Sequence, residues 1–160
     1  MGEGVKVDIS KMKALAKALG DSFEIRVGIL GNKAARKNGD GGLNNAELGF
    51  IQEFGSNKKK IPARSFLGMP LNLYLVDYLK SKKGFGDKEI KKAVKNGSLL
   101  ELAKKVGIVA EQVVQDAFET RGFGNWDENR PSTIRRKGSD SPLIDTGELR
   151  RSITSEAKKK

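Results

Sequence analysis

The sequence predicts an α+β fold: a small antiparallel sheet packed against one long helix and several short helices, with long loops between them. Three observations predict it. Residues 23–29 alternate apolar and polar side chains with the period of a half-buried strand. Residues 99–118 carry two adjoining apolar stripes at helical spacing. Three stretches rich in Gly, Pro, Asn and basic residues, near 31–43, 55–64 and 122–142, separate the periodic segments and read as flexible loops. With 160 residues the chain reads as a single domain, 1–160, able to bury about 70% of its unfolded surface.

The elements follow in order. Ile9, Met12, Leu15, Ala16 and Leu19 recur at helical spacing between an Asp8 or Ser10 cap and Gly20, which predicts a short amphipathic helix. Phe23, Ile25, Val27 and Ile29 then alternate with Glu24, Arg26 and Gly28 as a strand, ended by Gly31-Asn32. Asn44 with Glu47 forms a capping-box pattern, opening a helix in which Ala46, Phe50, Ile51 and Phe54 share a face until Gly55. Ile61 before Pro62 is pushed to extended geometry, so "SNKKKIPARSFLGMP" is a loop. Leu71, Tyr74, Leu75, Tyr78 and Leu79 form the next helix, which Phe66 and Leu67 enter around Pro70. Asp87 caps a short basic helix to Asn96-Gly97, and Ser98 caps the longest one, ending near Arg121-Gly122. Leu99, Leu102, Val106, Val109, Val113 and Ala117 make one of its stripes; Leu100, Ala103, Ala110, Val114 and Phe118 make the other. So broad an apolar face marks a helix packed on two sides. A final strand is expected over 151–157, followed by a basic C-terminal tail.

The charge points to anionic partners. Thirty-one Lys and Arg against twenty Asp and Glu give +11, which suits nucleic acid, an acidic protein face or a membrane surface. No apolar run approaches the roughly 20 residues of a membrane span, so no membrane partner is expected, and the chain reads as soluble and made in a cytoplasm. The absence of His and Cys excludes histidine general bases, cysteine nucleophiles, disulfides and His or Cys zinc sites. No cofactor or metal site is expected, and no catalytic residue is assigned.

"SPLIDTGELRRSIT" contains Asp145-Thr146-Gly147 after two apolar residues, the local pattern of an aspartic protease loop. Such an enzyme needs two carboxylates sharing a proton and a flap over them. The motif occurs once, and thirteen residues follow Gly147, too few for the flap and remaining sheet. The expectation is instead that Asp145 or Thr146 caps a turn at 147–150, which aims the chain into the last strand. Basic clusters, Lys58-Lys59-Lys60 with Arg64, Arg135-Arg136-Lys137 and Arg150-Arg151, are candidate assembly contacts. They also suit phosphates, with Trp126 or Phe123 stacking on bases, so a basic DNA-binding module is the alternative reading.

Four phrases together resemble a family of tailed-bacteriophage virion-morphogenesis proteins, the neck, head–tail connector or tail-completion proteins: "EIRVGIL" (24–30), "NAELGFIQEFGS" (45–56), "IPARSFL" (61–67) and "NWDENRPSTIRRKGSDSPLIDTGELRRSI" (125–153). The matching positions are Ala46, Glu47, Glu53, Phe54 and Gly55; Ile61, Pro62, Arg64, Phe66 and Leu67; Pro131, Ser132, Thr133, Arg136, Lys137 and Gly138; and Pro142, Leu143, Asp145, Thr146, Gly147, Leu149, Arg150, Ser152 and Ile153. They cover about half of the chain, in an order that looks like a permutation of related tail-completion proteins. The resemblance implies a non-enzymatic structural protein that forms a hexameric or dodecameric ring at the head–tail junction of the virion, assembled in the host cytoplasm. Its implied partners are further copies of itself, portal or connector proteins, and tail tube or terminator proteins, with contact to packaged DNA. A 160-residue domain has a radius of gyration on the order of 15 Å, so one copy cannot enclose duplex DNA, whereas a head-to-tail ring can.

Overall fold

Both apolar stripes of the long segment are used. In the computed structural model, which describes residues 23–35, 42–82, 85–97 and 99–160, Leu99–Glu119 is a continuous 21-residue helix, about 31 Å long at 1.5 Å per residue. Its Ala103, Val106, Val109, Ala110, Val113, Val114, Ala117 and Phe118 are buried. The remaining elements are arranged around it. In chain order they are β1 (Phe23–Ile29), α1 (Asn45–Phe54), α2 (Gly68–Ser81), α3 (Asp87–Lys95), the long helix α4, α5 (Pro131–Lys137), α6 (Glu148–Arg151) and β2 (Ile153–Lys159). The α+β prediction therefore holds: a two-stranded antiparallel sheet lies against one long helix and several shorter ones.

β1 pairs β2 with Phe23 opposite Lys159 and Ile29 opposite Ile153. A two-stranded ribbon is marginal in water alone, and this one is supported by α4. Gly107 of α4 lets the strand approach so closely that a Cβ there would lie 2.6 Å from Ser155 Oγ. Across the same contact the Ser155 hydroxyl donates to Glu111 of α4. On another side of α4, α2 contributes Leu71 and Leu75 to the main core with Phe66, Phe118 and Trp126. A smaller cluster at the start of α4 joins Leu99 and Leu102 to Ala93 of α3 and to Phe23.

Several boundaries differ from the sequence expectation. The last strand begins at Ile153 rather than 151, because α6 takes Arg150 and Arg151. It continues to Lys159, so most of the expected basic tail is paired strand. The loop at 122–142 contains α5, which opens with Pro131 and closes on left-handed Gly138, the usual asymmetry of helix ends. The loop at 55–64 is tightened by a bridge between Ser56 and Ile61, and Gly31–Ala34 forms a short 3-10 turn. Gly86, not Asp87, is the N-cap of α3, while Asp87 sits in its first turn. The helix expected from Asp8 to Gly20, the centre of the 31–43 loop and the Ser98 cap lie outside the described residues. Among the described residues no helix is long and apolar enough to cross a membrane.

Candidate assembly site

The capping box predicted for α1 is present: Asn44 Oδ1 accepts from Glu47 N at 2.9 Å, and Glu47 Oε2 accepts from Asn44 N at 2.9 Å. The face this helix turns inward is the unexpected one. Asn45, Gly49 and Glu53, spaced by four residues, are buried, whereas Phe50 and Phe54 are 57% and 58% exposed. Those two rings pack on each other at 4.8 Å between centroids. The helix is thus inside out relative to its apolar pattern, and each inward residue has a specific reason. Asn45 donates to the carbonyls of Lys33 and Ala35, both at 3.1 Å. Gly49 leaves room for Ile29, Phe66 and Leu149, with a Cβ there meeting Ile29 Cδ1 at 2.6 Å.

Glu53 has the most demanding position. Its carboxylate, 8% exposed, accepts four hydrogen bonds: from Ser65 Oγ at 2.6 Å, Phe66 N at 2.8 Å, Leu67 N at 3.0 Å and Gly68 N at 2.9 Å. Gly68 N is the first N–H of α2, and Phe66 and Leu67 lead into it; the helix has no cap from its own N-cap residue. The first N–H groups of a helix have no partner within it and carry partial positive charge. Here a carboxylate from a different helix satisfies the first of them, that of Gly68. Ser65 Oγ accepts from Met69 N at 2.8 Å, Pro70 has no N–H, and Leu71 N reaches Leu67 O at 3.2 Å. The start of α2 is therefore fully capped, and the E-F-G and A-R-S-F-L phrases form one device. Gly55 turns the chain at φ 73°, where a Cβ would lie 2.8 Å from Ala63 N and from Ile61 O. After it the chain passes through half-buried Pro62.

The third phrase joins the same junction. Arg64, expected as a surface contact, is 7% exposed, and its guanidinium donates to the carbonyls of Asp127 and Glu128, both at 2.9 Å. Burial pulls its pKa down and the nearby Asp127 opposes this. Trp126, expected as a stacking surface, is 8% exposed. It donates from Nε1 to Ser65 O at 3.0 Å and sets its ring edge-on to Phe118. Gly122 makes room for it, since a Cβ there would lie 2.2 Å from the indole nitrogen. Phe123, the other stacking candidate, is half-buried against Tyr74 at 4.0 Å between centroids. Neither aromatic is free for bases.

The Asp145-Thr146-Gly147 turn is structural, with a different cap from one expectation. Thr146 Oγ1, not Asp145, accepts from Glu148 N at 3.3 Å. Gly147 occupies the cap position at φ 74°, and the Asp145 side chain is exposed. Leu149 is buried, touching the space beside Gly49. Arg150 is engaged within the chain: its Nε donates to Gln115 at 2.7 Å and its guanidinium pairs with Glu119. Arg151 remains exposed.

The exposed cations divide differently from the sequence clusters. Lys58, Lys59 and Lys60 project from the tight turn closed by Ser56 and Ile61, while Arg135 and Arg136 are exposed on α5. Lys137 is half-buried and donates to Ser141 O at 2.8 Å. Its pKa is lowered first by burial, then by Arg64 and Arg136, against the pull of Asp145 and Asp140. Sequence reasoning missed Arg130, whose guanidinium donates to Lys60 O at 3.1 Å and so ties the lysine turn to the start of α5.

Among the described residues no group of three or more Asp, Glu, His or Cys could hold a metal ion. No family model matches the chain, and comparison with curated proteins and with solved structures yields no match.

Proposed function

We propose that this chain is a structural, non-enzymatic virion protein that forms a ring at the head–tail junction of a tailed phage, joining head to tail and leaving a passage for DNA. The observation that carries this reading is the reversed orientation of α1. A helix that buries Asn45, Gly49 and Glu53 leaves Phe50 and Phe54 packed on each other in solvent, and aromatic residues of this kind form the anchors of protein interfaces. In a head-to-tail ring that face meets a different surface of the next copy. A second support is the use of charge: among the described residues the two buried charged side chains, Glu53 and Arg64, bind backbone groups rather than facing a cleft. The residues on which the resemblance rests thus hold three phrases in one rigid junction beneath the exposed face.

Virion composition tests the function. The protein is expected in purified tailed particles, and a phage lacking it is expected to produce heads and tails that do not join. Absence from particles together with normal tail attachment overturns the reading. The α1 face is tested by Phe50→Ser with Phe54→Ser, which should preserve thermal stability and abolish complementation of that phage; full complementation removes this face from the subunit contact.

A further inference from the structure

We propose that Lys58, Lys59, Lys60, Arg130, Arg135 and Arg136 form one site for the phosphate backbone of double-stranded nucleic acid. In the sequence these residues are two clusters about seventy positions apart, and the structure brings them together. The bridge between Ser56 and Ile61 folds 57–60 into a tight turn with all three lysines exposed. Arg130 bonds the carbonyl of Lys60, and α5, starting at the next residue, presents Arg135 and Arg136. Beneath them, Arg64 pins the 127–128 backbone, so the two segments are fixed relative to each other by three side-chain-to-backbone bonds.

The six cations are not held in ion pairs among the described residues, whereas Arg26, Lys80, Lys104, Arg121, Arg150 and Lys158 each take part in one. Asp127 and Glu128 are the exposed carboxylates of the adjoining loop, and Asp140 is engaged by Arg121 at 2.8 Å.

The chemistry favours phosphates over bases and over a protein face. Single-strand binding relies on stacking aromatics, and Trp126 and Phe123 are packed into the fold. Protein interfaces have cores depleted of charge, whereas here the exposed side chains are cations with Asn57, Asp127, Glu128, Pro131 and Ser132 beside them. Cations that position a duplex without reading sequence need only that arrangement. The proposal concerns the single chain and stands independently of ring assembly.

The test is fluorescence anisotropy of the full chain with a labelled duplex of arbitrary sequence, titrated across salt. Binding is expected at about 50 mM salt, and log Kobs should fall against log salt with a slope of about −3 to −5, each neutralised phosphate contributing about −0.9. Lys58→Ala with Lys59→Ala should weaken binding about tenfold and make the slope shallower by about 2. Lys91→Ala with Lys92→Ala on α3 removes the same charge from exposed positions elsewhere and should change affinity less than about twofold. Circular dichroism establishes that both variants fold. No binding at low salt, or equal losses in the two variants, overturns the proposal. Competition by polyglutamate as effective as by unlabelled duplex assigns the patch to an acidic protein face and likewise overturns it. Failure of this experiment leaves the virion test untouched.

Discussion

At the scale of single residues, Glu53 and Tyr78 make the sharpest commitments. Replacing Glu53 by Gln keeps the shape but leaves one acceptor oxygen for four donors, and the new amide hydrogens face N–H groups. Each buried donor left without a partner costs about 1–3 kcal/mol. Glu53→Gln is therefore expected to lower unfolding free energy by about 2–5 kcal/mol, read as a shift in denaturant midpoint; a shift below about 1 kcal/mol would contradict the caging of α2. Tyr78 donates to Asp116 Oδ2 at 2.6 Å. That bond, helped by burial, pushes its pKa up from 10.0 to about 12. A folded-state pKa above the unfolded one stabilises fully below the unfolded value and is lost as pH rises through the folded value. The stability difference between wild type and Tyr78→Phe should be constant from neutral pH to pH 10 and shrink between pH 10 and about 12. A difference independent of pH across that window would show that the hydroxyl bond does not act this way.

At the scale of elements, the turns between helices matter as much as the helices. Gly55 and Gly138 both have positive φ, 73° and 67°, but only Gly138, at ψ 13°, lies in the left-handed well, which costs a residue with a Cβ roughly 1–2 kcal/mol; Gly55, at ψ −176°, lies in a region almost closed to residues other than glycine. They differ in surroundings: nothing lies within 4 Å of a Cβ at Gly138, whereas backbone atoms of Ile61 and Ala63 lie 2.8 Å from one at Gly55. Gly138→Ala should therefore cost about 1 kcal/mol, and Gly55→Ala about 1–3 kcal/mol more, because backbone cannot yield as a side-chain tip does. Equal melting temperatures for the two variants would mean that the turn after α1 is not fixed against 61–63. The same comparison shows what the sequence could reveal. The Asn44–Glu47 box, β1 and the length of α4 were legible because caps and periods are local signals. The burial direction of α1 was not, since Asn45 answers to 33–35 and Glu53 to 65–68. The helix α5 did carry its signs, Pro131 and Gly138, inside a stretch whose composition reads as loop.

At the scale of the whole molecule, the phrases that prompted a functional reading turn out to be the joints of the structure. Arg64 and Trp126 were legible as unusual residues, but their roles depended on partners some sixty positions away, beyond the reach of spacing arguments. Conversely, the basic patch is visible only once Arg130 closes on Lys60. The β1–β2 ribbon adds a kinetic consequence. Every other described element lies between its strands, so pairing Ile29 with Ile153 closes a very long loop, and that entropy must be met before the strand contacts give anything back. Helical pairing of α2 with α4 involves much shorter separations and can precede it. In stopped-flow refolding, far-ultraviolet helical signal is expected to appear before amide protection in the β1–β2 ribbon; simultaneous protection would contradict this order. The sheet would then act as the clasp that records completion of the fold, the last part gained and the first to report its loss.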